Sequence, residues 1–305
     1  MPVGKGFASR LGIGLETSWG TAVKVTKLIP FSSEGLTKEQ ERVDDSATLV
    51  GTAVKRTSYI VGGQVSGDIS ADLTYTDFED ILHAAFGKKT VNVNTGITSF
   101  DLTPDVGLSL TVAVEKGVSI HEFVGCKISR LSISTGDNKL QLSVSLLGKD
   151  YTRAGLNTSA DFDNLASPGR VILLPDCTLQ VGNNSYNFSE LNFTLDNKLQ
   201  AVRGNSKTPL SIDRNGKREV SFSITLPKYE VDTFYADFEN GTETSVILSA
   251  TDGTNAFKLI LPKVIVQTVD TSVSGEGIIP QKVEFIVLRG EGNLGVQEEA
   301  RVEVS

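Results

Sequence analysis

The stretch Val65-Ser66-Gly67-Asp68-Ile69-Ser70-Ala71-Asp72-Leu73 decides the fold. Apolar and polar residues alternate along it, so a strand here turns one face to a core and the other to water. A helical pattern follows almost at once, over residues 77–86. Phe78, Ile81, Leu82 and Ala85 fall at i, i+3, i+4 and i+7, one face of a helix. Thr76 or Asp77 is placed to cap it, Asp77, Glu79 and Asp80 suit its positive end, and Gly87 stops it. The same strand-then-helix order recurs further along. Residues 229–239 carry Val231, Phe234, Tyr235 and Phe238 on one stripe, ended by Asn240-Gly241. Ile69 aligns with Phe222, Leu73 with Leu226, Phe78 with Val231, Ile81 with Phe234 and Ala85 with Phe238, all at an offset of 153.

Downstream, a second ungapped block matches at an offset of 136. Ser109 meets Ser245, Leu110 Val246, Val112 Leu248, Gly117 Gly253, Phe123 Leu259, Lys127 Lys263 and Ile128 Val264. The offset falls by 17, so the first copy carries that much extra chain, placed within 88–106 as a loop or an added hairpin. Upstream, Phe31-Ser32-Ser33-Glu34 resembles Phe188-Ser189-Glu190. Further alternating strands are read at 108–114, 128–133 and 140–146, the last two joined through Thr135-Gly136-Asp137-Asn138 as a hairpin. The reading is a mainly β chain with an internal duplication: two tandem β-sandwich or barrel-forming units, each with one flanking α-helix. The first unit spans 1–155 and includes a long, charged, aperiodic loop at 37–59. A polar linker occupies 156–170, the second unit 171–290, and an acidic tail 291–305, expected to be mobile until a partner orders it.

Composition narrows the function. The chain has 305 residues, a formal charge of -8 and a pI near 5.0. Phosphate-backbone binding is driven by Lys and Arg, so an acidic chain has no general reason to grip nucleic acid. Residues 1–10 hold Lys5 and Arg10 without a long apolar run, which is not a secretory signal pattern. The most apolar run, 259–266, is broken by Pro262 and Lys263 and does not suit a bilayer. Two cysteines, Cys126 and Cys177, imply no disulfide framework. Sequons at Asn157, Asn183, Asn192 and Asn240 are read as chance matches.

No catalytic, cofactor or metal constellation emerges. The two histidines, His83 and His121, and the two cysteines have no ligand spacing, and no Gly-x-Ser-x-Gly elbow is present. Gly12-Ile13-Gly14 and Gly62-Gly63 read as turns or bulges rather than phosphate loops. Asp44-Asp45 and Glu298-Glu299 read as solvated surface. The single tryptophan, Trp19, reads either as packing over a core edge or as an anchor for a neighbouring chain.

The order of motifs in the first half resembles the tail tube (major tail) proteins of long-tailed bacteriophages. The residues that carry this are Gly14-Leu15-Glu16-Thr17-Ser18-Trp19-Gly20-Thr21, Ile29-Pro30-Phe31, Ser33-Glu34-Gly35-Leu36, Leu49-Val50-Gly51, the strand at 63–73 and the helical run ending Ala84-Ala85-Phe86-Gly87. The resemblance implies a structural virion protein of the tail, made in the host cytoplasm. It implies a sandwich whose sheets join side by side into a ring with a barrel-like inner wall, and rings stacked into a tube that DNA crosses without specific binding. Such rings are sixfold. Two units per chain then point to a homotrimeric ring with pseudo-sixfold symmetry, with a homohexamer decorated by the second unit as the alternative. Partners implied are other copies of the chain, a tape measure protein, a tail terminator and a baseplate or tip, with no membrane. The loop 37–59 corresponds to one that reaches the next ring, which makes Val43, Asp44, Asp45, Leu49 and Val50, with Trp19, the candidate inter-subunit contacts. A capsid decoration or fimbria-like adhesive sandwich shares the alternating strands but not the paired strand-helix units. An enzyme or carbohydrate-binding module needs a concave aromatic patch or a carboxylate pair that this composition does not offer.

Overall fold

The computed structural model describes residues 3–44, 57–104, 107–273, 275–290 and 296–305. The first half runs β1 (Arg10–Leu15), β2 (Lys27–Ile29), β3 (Ser33–Glu34), β4 (Thr37–Asp44), β5 (Ser58–Asp72), α1 (Glu79–Phe86), β6 (Gly87–Val91), β7 (Thr98–Leu102), β8 (Leu110–Glu115), β9 (Ile120–Gly136), β10 (Lys139–Gly148) and β11 (Asp150–Thr152). A short α2 (Ser159–Asp163) leads into the second half. There follow β12 (Cys177–Val181), β13 (Asn184–Tyr186), β14 (Glu190–Asp196), β15 (Leu199–Val202), β16 (Ser211–Arg214), β17 (Glu219–Leu226), α3 (Thr233–Asn240), β18 (Glu243–Thr251), β19 (Ala256–Asp270), β20 (Gln281–Leu288) and β21 (Arg301–Val304). All ladders are antiparallel, and the chain is mainly β as expected.

β9 is the pivot of the first half. Its start pairs with β8 and β11, and its end pairs with β10. The strand thus bends from an outer sheet, β2–β1–β8–β9, into an inner one, β9–β10–β5–β3/β4. Gly125 sits at the bend with φ +67, and a Cβ there would lie 2.8 Å from Lys149 Cβ, so the corner needs glycine. β19 does the same in the second half, between β13–β12–β18–β19 and β19–β20–β17–β14. Pro262 lies at that bend.

Ladder registers recur between the halves. Val112 faces Phe123 as Leu248 faces Leu259, and Glu115 faces Ile120 as Thr251 faces Ala256. Leu142 faces Ile133 as Val283 faces Val269. Leu11 faces Val114 as Cys177 faces Ala250. Tyr151 faces Phe123 as Val302 faces Leu259. The turn glycines Gly117 and Gly253 both take positive φ, +76 and +90. The upstream match needs correcting by two to three residues: Glu34 faces Ile69 as Phe193, not Glu190 or Leu191, faces Phe222.

Three segments expected to be irregular contain ordered elements among the described residues. Within 37–59, β4 pairs with β5 from Thr37↔Ser66 to Asp44↔Ser58. Most of β4 is exposed, so no core face imposes alternation, and the sequence pattern is silent. The linker 156–170 is clamped rather than free. Phe162 and Asn157 are buried, and the Asn157 side chain accepts from Val25 N and donates to Val23 O and Glu122. The acidic tail ends in β21, inserted between β7 and β19, with Val302 fully buried. The extra chain at 88–106 contains the β6–β7 hairpin, one of the two forms anticipated for it.

Helix α1 starts at Glu79 rather than at a Thr76 or Asp77 cap. Asp77 instead accepts from Thr74 Oγ1 at 2.7 Å and from Gly169 N at 2.8 Å, tying the helix approach to the linker. Gly87 closes the helix in the left-handed conformation, as read. Gly12 and Gly14 lie within β1, not in a turn. A Cβ on either would strike the segment 23–25 that packs over them. Gly62 and Gly63 lie in β5 beside a bulge in its pairing with β4.

Candidate functional site

β9 joins the two halves. Its free side pairs with β14 from Asn192↔Ser134 to Asp196↔Arg130. Eight strands therefore run without a break: β4, β5, β10, β9, β14, β17, β20, β19. The core side of the junction is dry, with Leu131, Ile133, Phe193 and Leu195 all at zero exposure. Asn197, also fully buried, donates to Ala85 O and Ile128 O, both at 3.1 Å, so helix α1 and β9 are held by a residue of the other half. Burying an amide so completely is tolerated because its hydrogen bonds are made.

The opposite face of this sheet is mainly polar, interrupted on β20 by Ile286, which stands opposite Ser221 and is 44% exposed. Because side chains alternate, cross-strand partners form rows. One row is Ser70, Ser143, Ser132, Thr194 and Ser221, each directly opposite the next, and it crosses the junction between halves. Ser132 Oγ and Thr194 Oγ1 are 3.0 Å apart. A neighbouring row is Asp72, Gln141, Ser134, Asn192, Ser223 and Glu284.

Four cations on this face are matched by acids. Lys139 Nζ lies 2.5 Å from Asp72, Arg130 Nη2 3.0 Å from Asp196, Lys198 Nζ 2.8 Å from Glu219 and Lys282 Nζ 2.7 Å from Glu284. Burial pushes the Asp196 carboxyl up. The Lys198 amide, Arg130 and the Lys198 ammonium outweigh it, leaving the group below its ordinary value. Lys282 holds Glu284 low, helped by Thr268, and Glu219 with Asp196 raises Lys198. At neutral pH the Asp196 and Glu284 carboxyls are therefore ionised beside their cations.

Of the candidate contacts named from the sequence, Trp19, Val43 and Asp44 fall among the described residues. Trp19 is half-buried at the β9 bend, where Nε1 donates to Gly125 O at 3.1 Å and Lys149 Nζ stands 4.7 Å over the ring. Val43 is 54% exposed on β4 and Asp44 is partly buried beside it. Asp45, Leu49 and Val50 lie outside the described residues. Glu298 and Glu299 are not simply solvated, since both meet Arg218 (Glu298 at 3.2 Å), whose Nη1 also donates to Thr103 O. His121 Nδ1 meets Tyr151 OH at 3.0 Å, and burial holds both His121 and His83 below their ordinary pKa. Among the described residues no cluster of His, Cys, Asp and Glu is suited to a metal.

Sequence reasoning missed Phe193, Leu195, Asn197 and Arg218. The alternation of β14 was visible, but nothing in it says that β9 is the neighbour.

A long sheet with a dry core side, an uncommitted polar face and two outer edges defines a structural assembly subunit. The chain belongs to the phage tail tube protein family, whose model matches residues 6–287. It is a structural component of the virion tail, and its family builds tails by self-association and contact with other tail proteins. No curated protein matches the chain. No helix among the described residues is long and apolar enough to cross a membrane.

Proposed function

We propose that three copies of this chain close into one ring of the tail tube, each chain supplying two tandem units in the places of a pseudo-sixfold ring. The observation that carries this is the β9–β14 ladder, which places both halves in one sheet. Three such sheets, edge to edge, would form a closed inner wall of twenty-four strands. A homohexamer with the second half decorating the outside is disfavoured, because that half supplies four of the eight strands. Recurrent registers support the duplication as its origin.

The polar face would line the lumen. Its rows of short hydroxyl side chains carry no charge, and Arg130, Lys139, Lys198 and Lys282 are each paired with an acid, so a passing phosphate backbone finds little cationic charge from which to release counterions. The net charge of -8 adds a repulsive background. The lining conducts DNA; it does no chemistry and needs no cofactor.

Rings would stack through two arms, the far end of the β4–β5 ladder (39–44 with 58–64) and the β15–β16 hairpin. Arg203 of the second arm reaches Glu41 of the first at 2.7 Å, so they stand side by side. Val43, Tyr59, Val202 and Leu210 are exposed on them, apolar groups that a neighbouring ring would cover. Tape measure, terminator and baseplate or tip proteins would meet the bore and the end rings. Negative-stain electron microscopy of the concentrated protein tests the reading: hollow tubes or stacked rings are expected, and only dispersed single particles at every concentration would contradict it.

A further inference from the structure

The internal junction is a template for an external one. β9 pairs with β14 inside the chain, and the counterparts of both strands are open on the matching sides. Val269 occupies the place of Ile133, since Val283↔Val269 repeats Leu142↔Ile133. Ser33, Glu34 and Thr37 occupy the places of Asn192, Phe193 and Asp196, since Glu34↔Ile69 and Thr37↔Ser66 repeat Phe193↔Phe222 and Asp196↔Glu219. Among the described residues no strand pairs with the outer side of either segment.

Building on the ring reading above, we infer that β19 of one copy pairs antiparallel with β3 and the start of β4 of a second copy, Ser33 opposite Asp270 and Glu34 opposite Val269. Hydrogen-bond phase agrees. Within β14, the Asn197 amide bonds Ser129 O of β9, which assigns Phe193 and Leu195 to β9 by alternation. Their counterparts are Glu34 and Leu36. The Gly35 amide bonds Asp68 O of β5, so Glu34 and Leu36 turn their amides outward, as the template requires. The outward Leu36 amide is met only by its own neighbour, the Glu34 carboxylate, at 3.2 Å. Val269 is half-buried where Ile133 is fully buried, as fits a residue waiting for a neighbour. Edges of this kind are templates for further pairing.

Ser33 and Asp270 would form a non-hydrogen-bonded pair, close enough for a disulfide. In a Cys177→Ser background, with Cys126 fully buried, tubes of Ser33→Cys/Asp270→Cys should give at least about tenfold more interchain linkage on oxidation than the displaced pair Ser33→Cys/Thr268→Cys. Visible tubes with equal linkage from both pairs, or with none, would overturn the inference while leaving the ring reading standing. The wild-type chain gives a second readout without substitution. Amide exchange over 267–269 should slow by at least about tenfold on assembly, and unchanged exchange in visible tubes would overturn the pairing. Wild-type protein that never forms rings or tubes would overturn the ring reading, and the pairing with it.

Discussion

The two halves use one strand plan with different amounts of chain. The first spends residues 16–26 between β1 and β2, where the second has only Gly182 and Asn183 between β12 and β13. The outward face of β8 is covered by residues 23–25 and by Phe162, so nearly all of β8 is buried, while β18 keeps an alternating, half-open face. Helix α1 buries Ala85, and its counterpart Phe238 in α3 is 48% exposed. The additions to the first half bind the second: β7 pairs with β21, and Arg218 gathers Thr103, Glu298 and Glu299. The two halves are thus fastened together through elements that have no counterpart in the second half.

The largest break in that comparison comes at the shared junction. Phe193→Ala empties a fully buried site packed between the halves and should cost about 3–5 kcal/mol, with both halves lost in one denaturant transition. Two separated transitions would show that the halves are independent. Next comes the fastening itself. Arg218→Ala leaves Glu299 without its cation and Glu298 with Arg289 alone, at 3.7 Å, and should cost about 2 kcal/mol. Amide exchange over 301–304 should quicken more than over 257–261; equal change would mean that Arg218 does not hold β21.

Much of this plan is legible in the sequence because burial on one face enforces alternation. Residues 65–73 and 140–146 form strands where read, and both helices form, but α1 starts at Glu79 and α3 at Thr233, which leaves the stripe residues Phe78 and Val231 outside them. Strand β4 carries no such signal, since most of it is exposed. The tail hides β21 because a four-residue Arg-Val-Glu-Val strand is too short to stand out from acidic surroundings. The linker looked like solvent-facing chain, yet Asn157 and Phe162 make it a lid on β8. The polar face is invisible before pairing is known: Ser70, Ser143, Ser132, Thr194 and Ser221 come from five strands and become one row only when β9 meets β14.

Smaller effects sharpen the same contrast. Gly125→Ala forces a left-handed alanine into the β9 bend, at a cost of about 1–2 kcal/mol, measurable by thermal unfolding. The counterpart bend at Leu261 has no positive φ, so that conformational penalty belongs to the first half alone. The smallest effect is acid loosening of the linker. Lys24 and the Thr158 amide and hydroxyl hold Asp161 at about 2, below its ordinary 3.8. Its contribution is complete above pH 3.8 and disappears as pH falls towards 2. Proteolysis near 158–163 should rise over that window, and Asp161→Asn should remove the pH dependence while raising cleavage at neutral pH.

The central claim is that both halves of one chain stand in the same wall. The most direct measurement is the number of chains per ring, from mass per unit length of tubes together with ring images. Three chains per ring, with six similar lobes around the bore, is the expected result. Six chains per ring, with an inner wall made from the first half alone, would contradict it.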